Sequence, residues 1–63
     1  MKRRDLLREL TRLAASQGQE LVVTEGARHT KVRIGVRWDM VPRHREISEM
    51  TAKAIIRQLG GGQ

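Results

Sequence analysis

The apolar residues of this chain change period twice. Near the start, Leu6, Leu10 and Leu13 fall at i, i+4 and i+7, and Leu7 and Ala14 widen the stripe. That is the spacing of one helix face. Gly18 supplies a stop, so the pattern predicts a helix from about Arg3 to Ser16. Residues 21–24, Leu-Val-Val-Thr, form a short β-rich run, and Glu25, Gly26 and Ala27 read as a turn. From residue 29 the chain alternates: Thr30, Val32 and Ile34 face one way, and His29, Lys31 and Arg33 face the other. A third run, Trp38 to Val41, comes after Gly35. The helical period returns at Ala52, Ile55, Ile56 and Leu59, after Ser48 as an N-cap and Glu49 at the positive helix end, with Gly60 as the stop.

Two registers can join the second and third runs. A two-residue turn at Gly35 and Val36 pairs Ile34 with Arg37 and Val32 with Asp39, which sets polar partners on the apolar face. A three-residue loop pairs Ile34 with Trp38 and Val32 with Met40, and keeps that face apolar throughout. It also sets Arg33 opposite Asp39 and His29 opposite Arg43. The second register is the expected one, with Trp38 in the core and Pro42 ending the ladder or on its edge. The order is then α-β-β-β-α. Two apolar helix stripes and one apolar sheet face bury each other, so the fold class is α+β: a three-stranded antiparallel sheet with both helices on one face. One domain over residues 1–60 and a loose tail over 61–63 account for the chain.

Composition narrows the function. The chain carries 13 Lys+Arg against 7 Asp+Glu, a formal net charge of +6, which is the footprint of a polyanion binder. It has no cysteine, which excludes a disulfide or a thiolate metal site, and no metal-ligand spacing. A core of this size rarely supplies more than about 3–5 kcal/mol. Met1, Lys2, Arg3 and Arg4 look like the start of a signal peptide, but Asp5, Arg8, Glu9 and Arg12 break up the apolar run that a signal needs. The expectation is a cytoplasmic protein with no membrane span.

Residues 28–45 hold six Lys/Arg and one Asp, and this density suits phosphates. With one Trp, no Tyr and no Phe, and with Trp38 assigned to the core, aromatic base stacking is not expected. Recognition would rest on backbone and shape. His29 stands at the mouth of a strand, after Gly26. Cutting RNA needs a base for the 2′-hydroxyl, cations at the phosphate and an acid for the leaving 5′-oxygen, and histidine serves as either base or acid. The bland alternative is a surface histidine among arginines. His44 either joins His29 as an acid/base pair or is a loop histidine that binds phosphate or caps the second helix. Arg4, Arg8 and Arg12, four apart, are either a solvated face or a phosphate-facing ridge.

Four stretches carry a family resemblance: Met1-Lys2-Arg3-Arg4-Asp5-Leu6-Leu7, Gly26-Ala27-Arg28-His29-Thr30, Val41-Pro42-Arg43-His44-Arg45-Glu46-Ile47, and Ile55-Ile56-Arg57-Gln58-Leu59-Gly60. In order and spacing they resemble the HicA toxins, the ribonuclease halves of HicA–HicB toxin–antitoxin modules, over about residues 1–60. The resemblance implies a fold like the double-stranded-RNA-binding domain. It also implies an mRNA interferase activity without metal or small-molecule cofactor, and a HicB-type antitoxin that covers the active site. His29 matches the family's catalytic histidine. Arg28, Lys31, Arg33, Arg43, His44, Arg4 and Arg8 are the RNA-binding candidates. Two positions depart from the family pattern. Gly26 stands three residues before His29 rather than two, and Val32 stands where an aromatic residue often follows the histidine.

Three functions are therefore expected to compete: an mRNA-cutting toxin, a basic RNA-binding module that does not cut, and a protein-binding domain whose basic face docks an acidic partner. DNA binding ranks below these, because neither helix offers the polar face of a recognition helix.

Overall fold

The computed structural model describes residues 1–61. Its elements run α1 (Arg3–Ser16), β1 (Leu21–Glu25), β2 (His29–Ile34), β3 (Arg37–Pro42) and α2 (Glu49–Gly60). The strands form one antiparallel sheet in the order β1-β2-β3. Both helices cover one face of it, so the α-β-β-β-α order and two-layer build expected from the periodicity are present.

Each helix ends for a local reason. The first amide of α1 has no side-chain cap; Arg3 N–H donates instead to the carbonyl of Arg45 at 2.8 Å. At its other end Gly18 takes φ +70°, which lets the amides of Gly18 and Gln19 fold back onto the carbonyls of Ala15 and Ala14. The hydroxyl of Ser48 accepts from the amide of Thr51 at 3.2 Å and starts α2. That helix runs one residue further than its sequence suggests: Gly60 is its last residue, and Gly61, at φ +98°, is the left-handed cap. Of the expected loose tail, Gly61 is this cap and residues 62–63 lie outside the described residues.

The core is made by Leu6, Leu10 and Ala14 of α1, Val32 and Ile34 of β2, Val41 of β3, and Ala52, Ile55 and Leu59 of α2. Ile47, from the segment before α2, joins them. That segment is held by the chain start, since Ile47 N–H donates to the carbonyl of Met1 at 2.8 Å.

The β2–β3 register corrects the expected one. Ile34 pairs with Arg37, Val32 with Asp39, Arg33 with Trp38, Lys31 with Met40, and His29 with Pro42. Trp38 and Met40 therefore lie on the outward face, not in the core, and are 49% and 41% exposed. Arg33 does not face Asp39, nor does His29 face Arg43. The cause is the turn. Gly35, at φ +62°, occupies the first central position of a two-residue loop, a primed geometry that matches strand twist and that glycine adopts without strain. The inward face of β3 tolerates polar residues because β3 is an edge strand. Arg37 there is exposed beside Gly61, and half-buried Asp39 accepts from the amide of Met40 at 2.7 Å. Pro42 closes this edge, as its missing N–H requires.

Candidate nucleic-acid interface

The hairpin joining β1 to β2 places the histidine. Gly26 N–H donates to the carbonyl of His29 at 2.9 Å, closing the turn. A Cβ at Gly26 would stand 2.8 Å from that carbonyl oxygen, too close for the backbone to accommodate. Glycine is needed here for this close approach, and it brings His29 to the first position of β2.

From that position strict alternation divides β2. His29, Lys31 and Arg33 are exposed on the outward face, as their sequence pattern predicts. Thr30, Val32 and Ile34 are buried inward, so Val32, at the position where the HicA pattern often has an aromatic, is core. The register adds neighbours to the outward row. Val22, Arg33 and Trp38 line up across the three strands. Thr24, Lys31 and Met40 form the next row. The Lys31 ammonium sits 4.8 Å from the centroid of the Trp38 ring, a cation–π contact. The Arg33 guanidinium donates to the carbonyl of Gly35 at 2.6 Å.

The inward side of the same sheet end holds a polar network that the sequence does not announce. Arg3 donates to the hydroxyl of Thr30 at 2.5 Å, and that hydroxyl donates to Glu25 Oε1 at 2.9 Å. Arg43 donates to the same oxygen at 2.6 Å, while Arg3 stands 3.8 Å from Glu25 Oε2. The Thr30 hydroxyl, then the Arg43 guanidinium, hold the Glu25 carboxyl below the usual glutamate range. Thr30 is the buried polar side chain of this core, and the network satisfies it.

The RNA-binding candidates are thus divided. Arg28, in the turn, and His44, in the loop before α2, are exposed. Arg43 is committed to Glu25 rather than set opposite His29. Among the described residues no hydrogen bond links His29 to His44. The ridge of α1 also breaks up. Arg8 pairs with Asp5 at 3.9 Å and Arg12 with Glu9 at 3.4 Å, both one helical turn apart. Arg4 instead lines a concavity of about 510 Å³ with Lys2, Arg3 and Arg45. Sequence reading missed Lys2, Arg3 and Arg45 as a group. Residues 1–3 and 45–47 meet through the Arg3–Arg45 and Ile47–Met1 backbone bonds, the Met1 ammonium on the Ile47 carbonyl and the Lys2–Glu46 bridge, which no local pattern reveals.

Among the described residues no cluster of three or more His, Asp or Glu is placed to hold a metal ion. No helix among them is long and apolar enough to cross a membrane. No protein-family model, curated protein or solved structure matches the chain.

Proposed function

We propose that this protein is an endoribonuclease that cuts mRNA in the cytoplasm without a metal ion, as the toxin half of a toxin–antitoxin pair. One observation carries the reading: an exposed histidine opens a strand whose outward side chains, His29, Lys31 and Arg33, are an imidazole followed by two cations. The resemblance to the HicA toxins, with His29 at the catalytic position, points the same way.

The chemistry asked of the site is modest. The 2′-oxygen of a ribose attacks the adjacent phosphorus and gives up its proton. The bond from phosphorus to the 5′-oxygen breaks, leaving a cyclic phosphate and a 5′-hydroxyl that takes up a proton. His29 moves a proton at one of these two oxygens. Lys31 offsets charge building on the phosphoryl oxygens. Arg28, Arg4 and Arg45 hold flanking phosphates, which makes binding salt-sensitive. An antitoxin of the HicB type would act by covering this outward face.

The test is a defined mRNA incubated with purified protein in EDTA, wild type beside His29→Ala. General acid–base catalysis contributes about 10²- to 10⁴-fold. The variant is expected to keep its circular-dichroism spectrum and to lose cleavage by that factor. A variant that still cuts at the wild-type rate removes His29 from the mechanism.

The pairing of Arg43 with Glu25 favours a second reading, because it withdraws from the phosphate a cation otherwise available next to the histidine. In that reading the protein is a basic RNA-binding module that does not cut. Salt-sensitive binding with intact RNA in the same assay would establish it.

A further inference from the structure

The least expected feature of the outward face is its tryptophan. Burying a ring of this size is strongly favourable, yet the register turns Trp38 to solvent at 49% exposure. It does not stand alone. Val22, at 39% exposure, and Met40, at 41%, share the face, and Arg33 lies directly opposite the tryptophan. The surface is an apolar patch threaded by the cations of β2.

An indole flanked by cations suits one ligand chemistry in particular. Unpaired nucleobases present flat apolar faces, and the backbone carrying them is an anion. Aromatic rings take the bases, and Lys or Arg beside them take the phosphates. A base in a duplex has its faces occupied by its neighbours and cannot use such a ring. The charge of the patch also selects against a purely apolar occupant, because a partner helix with an aliphatic face would leave Lys31 and Arg33 unpaired.

Position adds a further constraint. Trp38 pairs with Arg33, four residues along β2 from His29. At the rise of a strand this is about 13 Å. A base held on Trp38 therefore belongs to a nucleotide flanking the one whose phosphate reaches His29.

We propose that Trp38, with Arg33 opposite it, is a stacking platform for an unpaired base that displaces the Lys31 ammonium from over the ring and frees it for the adjoining phosphate, which makes single-stranded RNA the ligand of the outward sheet face. This rests on the RNA reading above, and it adds base stacking to the sequence-based expectation of recognition by backbone and shape.

The experiment uses the fact that the chain has one tryptophan, so all indole emission comes from Trp38. The probe is a fluorescein-labelled 2′-O-methyl oligouridylate, which lacks the attacking hydroxyl and cannot be cut by the proposed route. Binding is read by anisotropy and stacking by quenching of the indole. The expected result is saturable quenching that tracks anisotropy, with little of either when the strand is annealed to its complement. Trp38→Leu should weaken single-strand binding by about 5- to 150-fold, the range of base–aromatic stacking, and Trp38→Phe should recover most of it. The ring is half-buried and carries the Lys31 contact, so Trp38→Leu should lower the urea midpoint slightly while both variants keep the circular-dichroism spectrum, which checks folding.

Three results overturn the proposal. Single-strand binding with no quenching and no loss in Trp38→Leu removes the platform and leaves the RNA reading standing. Failure to bind either strand at low salt removes the RNA reading and the platform with it. An oligoglutamate that quenches as strongly as the RNA assigns the face to an acidic protein.

Discussion

On the inward face of the sheet Thr30, Val32 and Ile34 are buried, while on the outward face their chain neighbours His29, Lys31 and Arg33 are exposed. The same strand makes both, yet the faces obey different rules. Inward, every change of volume or polarity is resisted by Leu6, Leu10, Val41, Ile55 and Leu59 packed around it. Outward, side chains meet solvent, so their identity is free to follow a ligand. A small domain can thus hold its fold with one face and devote the other to chemistry, provided the two remain separable by mutation.

The harshest way to break that separation is to damage the inward side. Leu10 is fully buried, and Leu10→Ala should cost about 2–5 kcal/mol. A core of this size rarely supplies more than about 3–5 kcal/mol, so a large fraction of the variant should be unfolded at 25 °C by circular dichroism. His29→Ala is its counterpart on the outward face and should leave the urea midpoint where it is. If both variants unfold alike, the faces are not independent.

Thr30→Val sharpens the same comparison with a smaller effect. The shape is nearly kept, but Arg3 loses an acceptor and Glu25 loses a donor. Loss of a partner at a buried polar site costs about 1–3 kcal/mol. The loss should appear in the urea midpoint, with single-stranded RNA affinity unchanged, since Thr30 points away from the outward face. A variant that binds RNA worse while folding normally would show the network to be part of the site.

How much of this could be read from the chain depends on how many strands an assignment needs. The face of His29, Lys31 and Arg33 follows from the alternation of β2 alone, so no error of register could move it. The face of Trp38 and Met40 depends on where β3 begins, and there two signals disagreed. Matching apolar partners argued for burial, while Gly35 in a two-residue turn argued for exposure. The turn prevailed because glycine at positive φ suits that loop, whereas an edge strand can leave Arg37 and Asp39 on a face that is not fully covered. The helices were legible almost to the residue, because their stripes and stops are local. The Arg3–Thr30–Glu25–Arg43 network and the cluster of Lys2, Arg3, Arg4 and Arg45 were not, because they join segments far apart in the chain.

The gentlest probe is pH, applied to the one carboxyl that ties the inward network together. Thr30 and Arg43 favour the ionised form of Glu25, so its folded pKa lies below its unfolded value. A group depressed in this way stabilises the fold above the unfolded pKa, and the contribution is lost as pH falls through the folded one. Wild type should therefore have a higher urea midpoint than Glu25→Gln at pH 7, and the gap should narrow as the pH drops below about 4. Solvent reaches Glu25, so the gap is small and should shrink further at high salt. Other carboxylates titrate over the same interval, but they do so in both proteins and cancel in the difference. A gap that stays constant down to about pH 2 would mean that Glu25 acts through shape and hydrogen bonding rather than charge. Arg43 would then be held too weakly to be counted as withdrawn from the outward face.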